Sequence, residues 1–398
     1  MFGVKRQSPW AQYAIVTANY WAFTLSDGAL RMLVVLYFHQ LGYGALQLGL
    51  LFLFYEFFGI VTNLVGGWLA ARFGLNRTMN LGLVIQIAGL AMLLVPSEML
   101  SIGWVMVAQA LSGIAKDLNK MSAKSAIKSL ADDASLFRWV ALLTGSKNSL
   151  KGLGFFLGAA LLAGFGFQGA VFIMLIALVL VLLFSLISLS DGLGKSQYKP
   201  KFKEIFSSSR NINVLSAARL FLFAARDVWF VIALPVFLSV SLGWSHQAIG
   251  AFLAAWVIVY GVVQTQAPKF ITSGRPRSQA LNWVLLLLLL CSLMVFGLEV
   301  NTSLDWQKWV CIIGLALFAI VFAANSAYHS FLVVDFARRD GASMDVGFYY
   351  MSNAAGRLLG TVLSGYLYQV FGFSACLMAA VVLLAVCSLV SLALPRRA

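Results

Sequence analysis

Twelve apolar runs, each long enough to cross a lipid bilayer, constrain this chain more than any other feature. They fall near residues 11–38, 46–72, 79–95, 102–124, 137–164, 169–189, 213–239, 247–267, 279–298, 308–334, 345–371 and 373–395. A membrane helix needs ~20 mostly apolar residues. Hydrophobic residues make up 61% of the 398 and charged residues only 11%, where a soluble domain carries roughly 25% charged. That balance excludes a soluble globular protein, a disordered chain and a coiled coil. No alternating ten-residue pattern suggests a transmembrane barrel. The expected fold is an all-α polytopic membrane protein with twelve transmembrane helices and no large extramembrane domain. Pro96, Pro200 and Pro395 stand at or beyond run ends, as helix stops should.

The four cysteines, Cys291, Cys311, Cys376 and Cys387, all lie inside apolar runs and form no CxxC pair. Neither a disulfide framework nor a metal site is expected, and no cofactor is called for. Lys5 and Arg6 precede a long first run that holds Asp27 and Arg31, which reads as a retained helix and not a cleaved leader.

Orientation follows from the Lys/Arg bias of the connecting segments. With the N-terminus inside, the cytoplasmic segments hold nineteen bases, among them Arg72, Arg77, Lys124 and Lys128, and the outer loops hold only Lys308. Both termini are therefore expected in the cytoplasm. Much of the +14 net charge is topological, so it does not imply nucleic-acid binding. The basic stretch from Lys195 to Arg210 reads as a cytoplasmic linker touching anionic lipid headgroups.

This linker (191–212) divides the chain into an N-terminal six-helix bundle (1–190) and a C-terminal one (213–398). The halves repeat each other weakly. Asp27 matches Asp227, and Gly42 matches Gly243 with one slip. NSLKGLG at 148–154 matches NAAGRLLG at 353–360, and both run on to a Gly-Phe pair, Gly166-Phe167 and Gly372-Phe373. Internal repeats of this kind are common in transporters.

Six-plus-six helices with a basic central loop resemble the major facilitator superfamily. Residues 67–77, GWLAARFGLNR, resemble its loop between helices two and three. Gly67, Arg72, Gly74 and Arg77 fit the pattern, while Ala71 replaces the usual acid and Asn76 a frequent base. The glycines permit a tight turn. The resemblance implies a gating role for Arg72 and Arg77, against which stands plain positive-inside topology. Without the acid, the usual charge latch cannot form in the standard way. The glycine run of helix five in many antiporters is echoed by Gly145, Gly152, Gly154 and Gly158 but lacks its proline.

Eight cations fall within the runs: Arg31, Lys116, Lys120, Lys147, Lys151, Arg219, Arg226 and Arg357. The acids there are Asp27, Glu56, Asp117 and Asp227. A charge at the bilayer centre costs at least ~2.5–3.5 kcal/mol, so the default reading is a water-filled binding site between helices. Two weaker readings stand beside it. Arg219, Lys116 and Lys120 lie nearer run ends and could snorkel. Asp27 and Arg31, spaced i,i+4, could simply pair on one helix. Lys116 and Lys120 share one helix face, as do Lys147 and Lys151, and Arg219 and Arg226. In the superfamily, helices one, four, seven and ten line the cavity with two, five, eight and eleven beside it. The resemblance thus places every one of these cations on an inner helix. Asn325 and His329 on the tenth run stand open between facing that space and packing. A cavity rich in cations wants a multiply charged anion, which Arg grips as a fork and Lys as a point charge.

The strings TLSDGALRMLVVLYFHQLGY (24–43), FLFYEFFGIVTNLVGGWLAARFGLNRT (52–78), QALSGIAKDLNKMSAKSAIK (109–128), LTGSKNSLKG (143–152) and LSAARLFLFAARDVWFVIALPVFL (215–238) resemble the ArsJ-type organoarsenical exporters of that superfamily. The resemblance implies a bacterial inner-membrane efflux transporter for 1-arseno-3-phosphoglycerate, giving arsenate resistance. It also implies a functional partner, glyceraldehyde-3-phosphate dehydrogenase, that makes the substrate. Arg31, Lys147, Lys151, Arg226 and Arg357 would hold the anion at the midplane, with Lys116 and Lys120 towards the cytoplasmic mouth. Asp27 and Asp227 would neutralise Arg31 and other bases in the empty site. Asp27, Glu56 and Asp117 are the candidates for proton coupling. The scattered cysteines suit an oxyanion cargo, since a trivalent arsenic carrier wants converging thiolates. The protein is expected to act as a monomer. An organophosphate:phosphate antiporter, or another organic-anion carrier, fits the same cation set. A membrane sensor would carry a large cytoplasmic extension. An enzyme would show a motif such as HExxH or GxSxG, and neither occurs.

Overall fold

Every long element among the described residues is a helix. The computed structural model describes residues 8–43, 48, 51–189, 193, 201–202 and 209–397. Most of the basic linker, with Lys195, Lys199 and Lys203, lies outside these, as do Lys5, Arg6 and the start of the second run.

Helix α1 spans Pro9–Gln40, α2 Leu53–Phe73, α3 Leu75–Met92 and α4 Ile102–Leu130. One continuous element follows, Leu136–Ser188, of 53 residues. As a straight helix it would be ~80 Å long, far beyond a hydrocarbon core of ~30 Å. Gly166 breaks it with φ 65° and ψ −178°, a backbone only glycine adopts readily. It is therefore two spans, α5 (136–165) and α6 (167–188). Then come α7 Arg210–Ser241, α8 His246–Gln266, α9 Pro276–Val300, α10 Leu304–Phe336, α11 Ala342–Phe371 and α12 Phe373–Ser391. Gly372 (φ 82°, ψ −172°) turns α11 into α12 with nearly the backbone of Gly166. Gly42 and Gly243 also share a positive φ. The glycine matches read from the two halves thus recur as matched backbone.

Serine caps open several helices by accepting orphan backbone N–H groups. Ser8 accepts from Ala11, Ser101 from Trp104, Ser209 from Ile212 and Ser245 from Ala248. Gly74 (φ 100°) makes the tight turn between α2 and α3 that its motif led us to expect.

Two expected spans are corrected. The run at 213–239 is not one smooth helix. Its regular part ends at Phe230, and the chain continues through a short helix at Ala233–Val236 and a π turn at Phe237–Ser241. Pro235 is the cause, because it has no N–H and its ring crowds the carbonyl four residues back. Ser364 of α11 takes up the slack by accepting the Ala233 N–H at 3.1 Å. Helix α4 does not end at Lys124 but continues for almost two more turns.

Eight helical segments among the described residues are long and apolar enough to cross a membrane by composition. Helix α4 escapes that count through Lys116, Asp117, Lys120, Lys124 and Lys128, the residues that matter below. Large apolar side chains point outward from α3 (Leu81, Val84), α6 (Leu180, Phe184), α9 (Leu289, Phe296) and α12 (Val382, Leu389). These are the four helices on which no interior cation was found.

Arg72, Arg77, Arg138, Arg338 and Arg339 are exposed at the end where α1 begins, called the basic end here. At this end one apolar cluster joins both halves, from Tyr13 and Tyr20 through Phe137 and Ile127 to Phe331, Val334 and Tyr350. Phe137 packs on Phe331 with ring centroids 4.7 Å apart. At the far end each half keeps its own cluster, residues 23–178 in one and 218–387 in the other. The bundle is closed at the basic end and parted at the far end. The halves meet through α2 with α11 and α5 with α8. Asn148 of α5 donates to Gln264 of α8 at 2.5 Å.

Within the first half, α1 and α5 cross at glycines. A Cβ on Gly154 would lie 2.6 Å from the Leu25 carbonyl and 3.1 Å from the Ala29 nitrogen. Both are backbone atoms, so one helix would have to move. Gly154→Leu is expected to destabilise the fold by ~3 kcal/mol or more, seen as a lowered Tm in detergent. An unchanged Tm would mean the crossing is looser than this.

Candidate anion site

Four of the inner helices build a ladder of alternating charge across the two halves. Arg31 of α1 lies 3.5 Å from Glu56 of α2. The same Glu56 oxygen receives the Arg357 guanidinium of α11 at 3.1 Å. Arg357 Nε reaches Asp227 of α7 at 3.2 Å, and Arg226 Nε reaches the other Asp227 oxygen at 2.5 Å. Glu56–Arg357 is the one ion pair between the halves among the described residues. Side chains of Arg31, Glu56 and Arg357 stay 30%, 29% and 31% exposed. Exposure at mid-helix, between two packed halves, means that the gap between them opens onto this ladder.

The expected pairing of Asp27 with Arg31 does not form. Asp27 accepts from the Tyr55 hydroxyl at 2.8 Å, and Arg31 turns instead to Glu56. Asp27 therefore does not neutralise Arg31, whereas Asp227 does neutralise Arg226 and Arg357. Glu56 is more than a coupling candidate, since it bridges the halves. Lys116 and Lys120 do not snorkel. They flank Asp117 at 3.9 and 2.5 Å, and Lys116 also sits 3.8 Å above the Tyr55 ring. A cation over an aromatic face is attracted by the ring quadrupole.

Lys147 and Lys151 make no hydrogen bond or ion pair among the described residues. Lys151 lies in the field of Asp27, Arg31, Lys116 and Arg357, and Lys147 in that of Lys116, Lys120, Lys124 and Lys151. Arg219 does not snorkel either. It is 4% exposed and donates to Asn353 at 2.9 Å and Ser326 at 3.1 Å. Phe223, one turn from both Arg219 and Arg226, carries the two guanidiniums at 4.0 and 4.5 Å.

Lys124 is the main residue that sequence reasoning misplaced. It was counted among the cytoplasmic bases, yet it is 3% exposed within α4. It donates to Thr144 at 2.9 Å and to the Tyr350 hydroxyl at 2.5 Å. The signal was present, since Lys116, Lys120, Lys124 and Lys128 recur every fourth residue along one helix face. Tyr55 and Tyr350 were missed altogether. Apolar in composition counts, they act here through their hydroxyls, Tyr55 donating to Asp27 and Tyr350 accepting from Lys124, and both rings serve as cation platforms. His329 is wholly buried with neither ring nitrogen bonded, and Asn325 likewise lacks any partner. With Lys124 and the buried Asp345 of α11 included, the interior holds nine cations against five carboxylates, the same excess of four that the sequence suggested.

In the motif between α2 and α3, Gly67 lets α2 meet α11. A Cβ there would stand 2.5 Å from the Ser343 carbonyl and 3.3 Å from the Gly347 Cα. Ser343 in turn donates to the Gly67 carbonyl at 2.9 Å. Arg72 lies 5.4 Å from the Trp68 ring, and both Arg72 and Arg77 are exposed. The four cysteines lie in the apolar core of the second half.

Twelve helical segments in two halves, closed at one end around a charged centre that opens at the other, are the architecture of a membrane transporter. The sequence profile of the Major Facilitator Superfamily matches residues 16–337 and, in a second placement, 220–398. The chain belongs to that superfamily. Among solved structures it is similar to the human organic anion transporter MFSD10 (TETRAN), with TM-score 0.76 and 16% identity over 97% of this chain and 100% of that one. It is similar also to the E. coli fucose:proton symporter FucP, with TM-score 0.75 and 13% identity over 97% and 98%. A third is a bacterial homologue of the iron transporter ferroportin in an outward-facing state, with TM-score 0.75 and 14% identity over 95% and 98%. At such identities the likeness is one of fold. No curated protein matches the chain significantly.

Proposed function

We propose that this transporter exports a small, multiply charged organic anion, with 1-arseno-3-phosphoglycerate as its cargo. The observation that carries the anionic class is the excess of interior cations over carboxylates, with Lys147 and Lys151 unpaired. Burying unpaired cations is costly, so the centre is built to be completed by negative charge. Arg31, Arg226 and Arg357 offer planar forks to oxyanion groups, and Lys147 and Lys151 add point charges from the facing helix. Lys116 and Lys120, half-neutralised by Asp117, lie on the way to the basic end. Glu56 occupies Arg31 and Arg357 in the empty carrier and is displaced when an anion arrives.

The arsenical assignment rests on the ArsJ-type strings, and brings glyceraldehyde-3-phosphate dehydrogenase with it as the source of substrate. The basic end faces the cytoplasm of a bacterial inner membrane by the positive-inside rule. The divisions 1–190, 191–212 and 213–398 would then be two rocking bundles and their cytoplasmic tether, working as a monomer. Asp27, Glu56 and Asp117 remain the coupling candidates if protons drive export.

Inside-out vesicles provide the test. Arsenate alone is compared with arsenate plus the dehydrogenase, its aldehyde substrate and NAD. Arsenic is expected to accumulate only with the full mixture, and only in vesicles containing the protein. Equal accumulation with arsenate alone, or none in either arm, overturns the cargo and leaves the phosphorylated metabolites to be tried. The cation excess also favours a loaded return stroke, as in an organophosphate:phosphate exchange. Efflux that requires an anion on the opposite side would identify it.

A further inference from the structure

Two turns nearer the basic end than the ladder lies a second set of cations. Lys124 stands seven residues beyond Asp117 on α4, Arg219 seven before Arg226 on α7, and Tyr350 seven before Arg357 on α11. Seven residues of helix span about 10 Å, so these three share one depth. Lys124 comes from the first half and Arg219 from the second, and each lies in the other's field. Their contacts are all neutral. Lys124 donates to Thr144 and Tyr350, and Arg219 to Asn353 and Ser326. Neither forms an ion pair among the described residues, although both are more than nine-tenths buried.

A second observation points to the same place. Around Arg219, the His329 ring and the Tyr349 hydroxyl are wholly buried with no hydrogen-bond partner, and so is the side chain of Asn325, one turn before His329 on α10. Arg219 lies 5.3 Å from the Tyr349 ring, and its field reaches His329. Buried polar groups are ordinarily bonded and buried charges ordinarily paired. Here two like charges and several orphan donors converge where the halves close. A bound anion would answer both.

We propose that Lys124 and Arg219, with Tyr350, Asn353, Asn325 and His329, form a second anion station between the halves, distinct from the central ladder and sealed in this state. Its ligand is a tetrahedral oxyanion group of the phosphate or arsenate class. Either a free inorganic oxyanion or the phosphate end of the transported anion supplies that chemistry. The proposal rests on the anion-carrier reading, and not on arsenic. Occupied, the station holds the basic end shut; empty, its facing cations favour opening.

Equilibrium binding of radiolabelled inorganic phosphate to the purified full chain tests this. The wild type is expected to bind two per chain. Lys124→Gln and Arg219→Gln should each bind one, with the affinity of the remaining site within about twofold of wild type. Lys124→Arg and Arg219→Lys keep the charge and should keep both sites. Arg357→Gln should lose the other site. Competition by 3-phosphoglycerate separates the sources, displacing both phosphates if the station takes the substrate's own phosphate and one if it takes the free ion. A single phosphate in the wild type, lost in Arg357→Gln but kept in Lys124→Gln, overturns the station and leaves the carrier reading intact. One site lost in all three variants makes Lys124 and Arg219 part of the central site and also overturns it. No binding of either anion overturns the carrier reading itself.

Discussion

Transport by the Arg357→Gln variant is expected to fall roughly a hundredfold. Arg357 ties Glu56 of one half to Asp227 of the other, and it is the fork best placed to meet an anion entering the gap. A charge-assisted hydrogen bond is worth ~1.5–3 kcal/mol, so losing a bidentate grip costs about 3 kcal/mol, or about two decades of affinity. The fold should survive. Glu56 keeps Arg31, and Asp227 keeps Arg226. Arg357→Lys retains the charge without the fork and should lose about tenfold. Initial rates against anion concentration in vesicles, with Tm as the control for folding, decide the matter. Wild-type rates in Arg357→Gln would sink the assignment of this centre as the substrate site. Arg226→Gln is expected to abolish binding in the same assay, since its fork faces the same gap and also holds Asp227.

Gly67→Val should stop transport for a different reason. The α2–α11 contact at Gly67 is backbone against backbone, so a side chain there pushes the helices apart at the basic end. The variant should remain folded, because this contact joins the halves and does not build either one. It should still bind anion but no longer close. Spin labels on cysteines introduced by Arg72→Cys and Arg339→Cys, both exposed at that end and in opposite halves, would report the separation. The four natural cysteines are buried, so labelling is selective. A longer label distance with lost transport is the expected result. An unchanged distance would mean that α2 and α11 tolerate the added volume and that Gly67 does not set the closure.

Much of this was readable in advance. Apolar run length set twelve spans, because a bilayer admits only satisfied helices of a fixed length. The Gly166 and Gly372 breaks were visible as matched Gly-Phe pairs, since a helix can reverse sharply only where a residue tolerates positive φ. That the interior cations lie on inner helices followed once the spans were assigned, because lipid-facing positions do not tolerate charge. The break in α7 was less legible. Pro235 announced it, but the Ser364 hydroxyl that makes it tolerable lies on a helix more than a hundred residues away.

Partnership among the charges was readable only in part, at Asp227. Asp27 and Arg31 sit at helical spacing and looked like a pair, yet Tyr55 and Glu56 from the next helix won them. Lys124 looked like one more base at a helix end, until α4 proved longer and α11 closed over it. Hydrophobic length and the expense of charge in lipid are properties of single segments, so the sequence by itself determined the class, the number of spans and most of the interior charges. Which charge neutralises which, which remain bare, and which end is shut depend on distances between segments remote in sequence. Coulomb energy and desolvation act on those distances, so only the tertiary structure decided them.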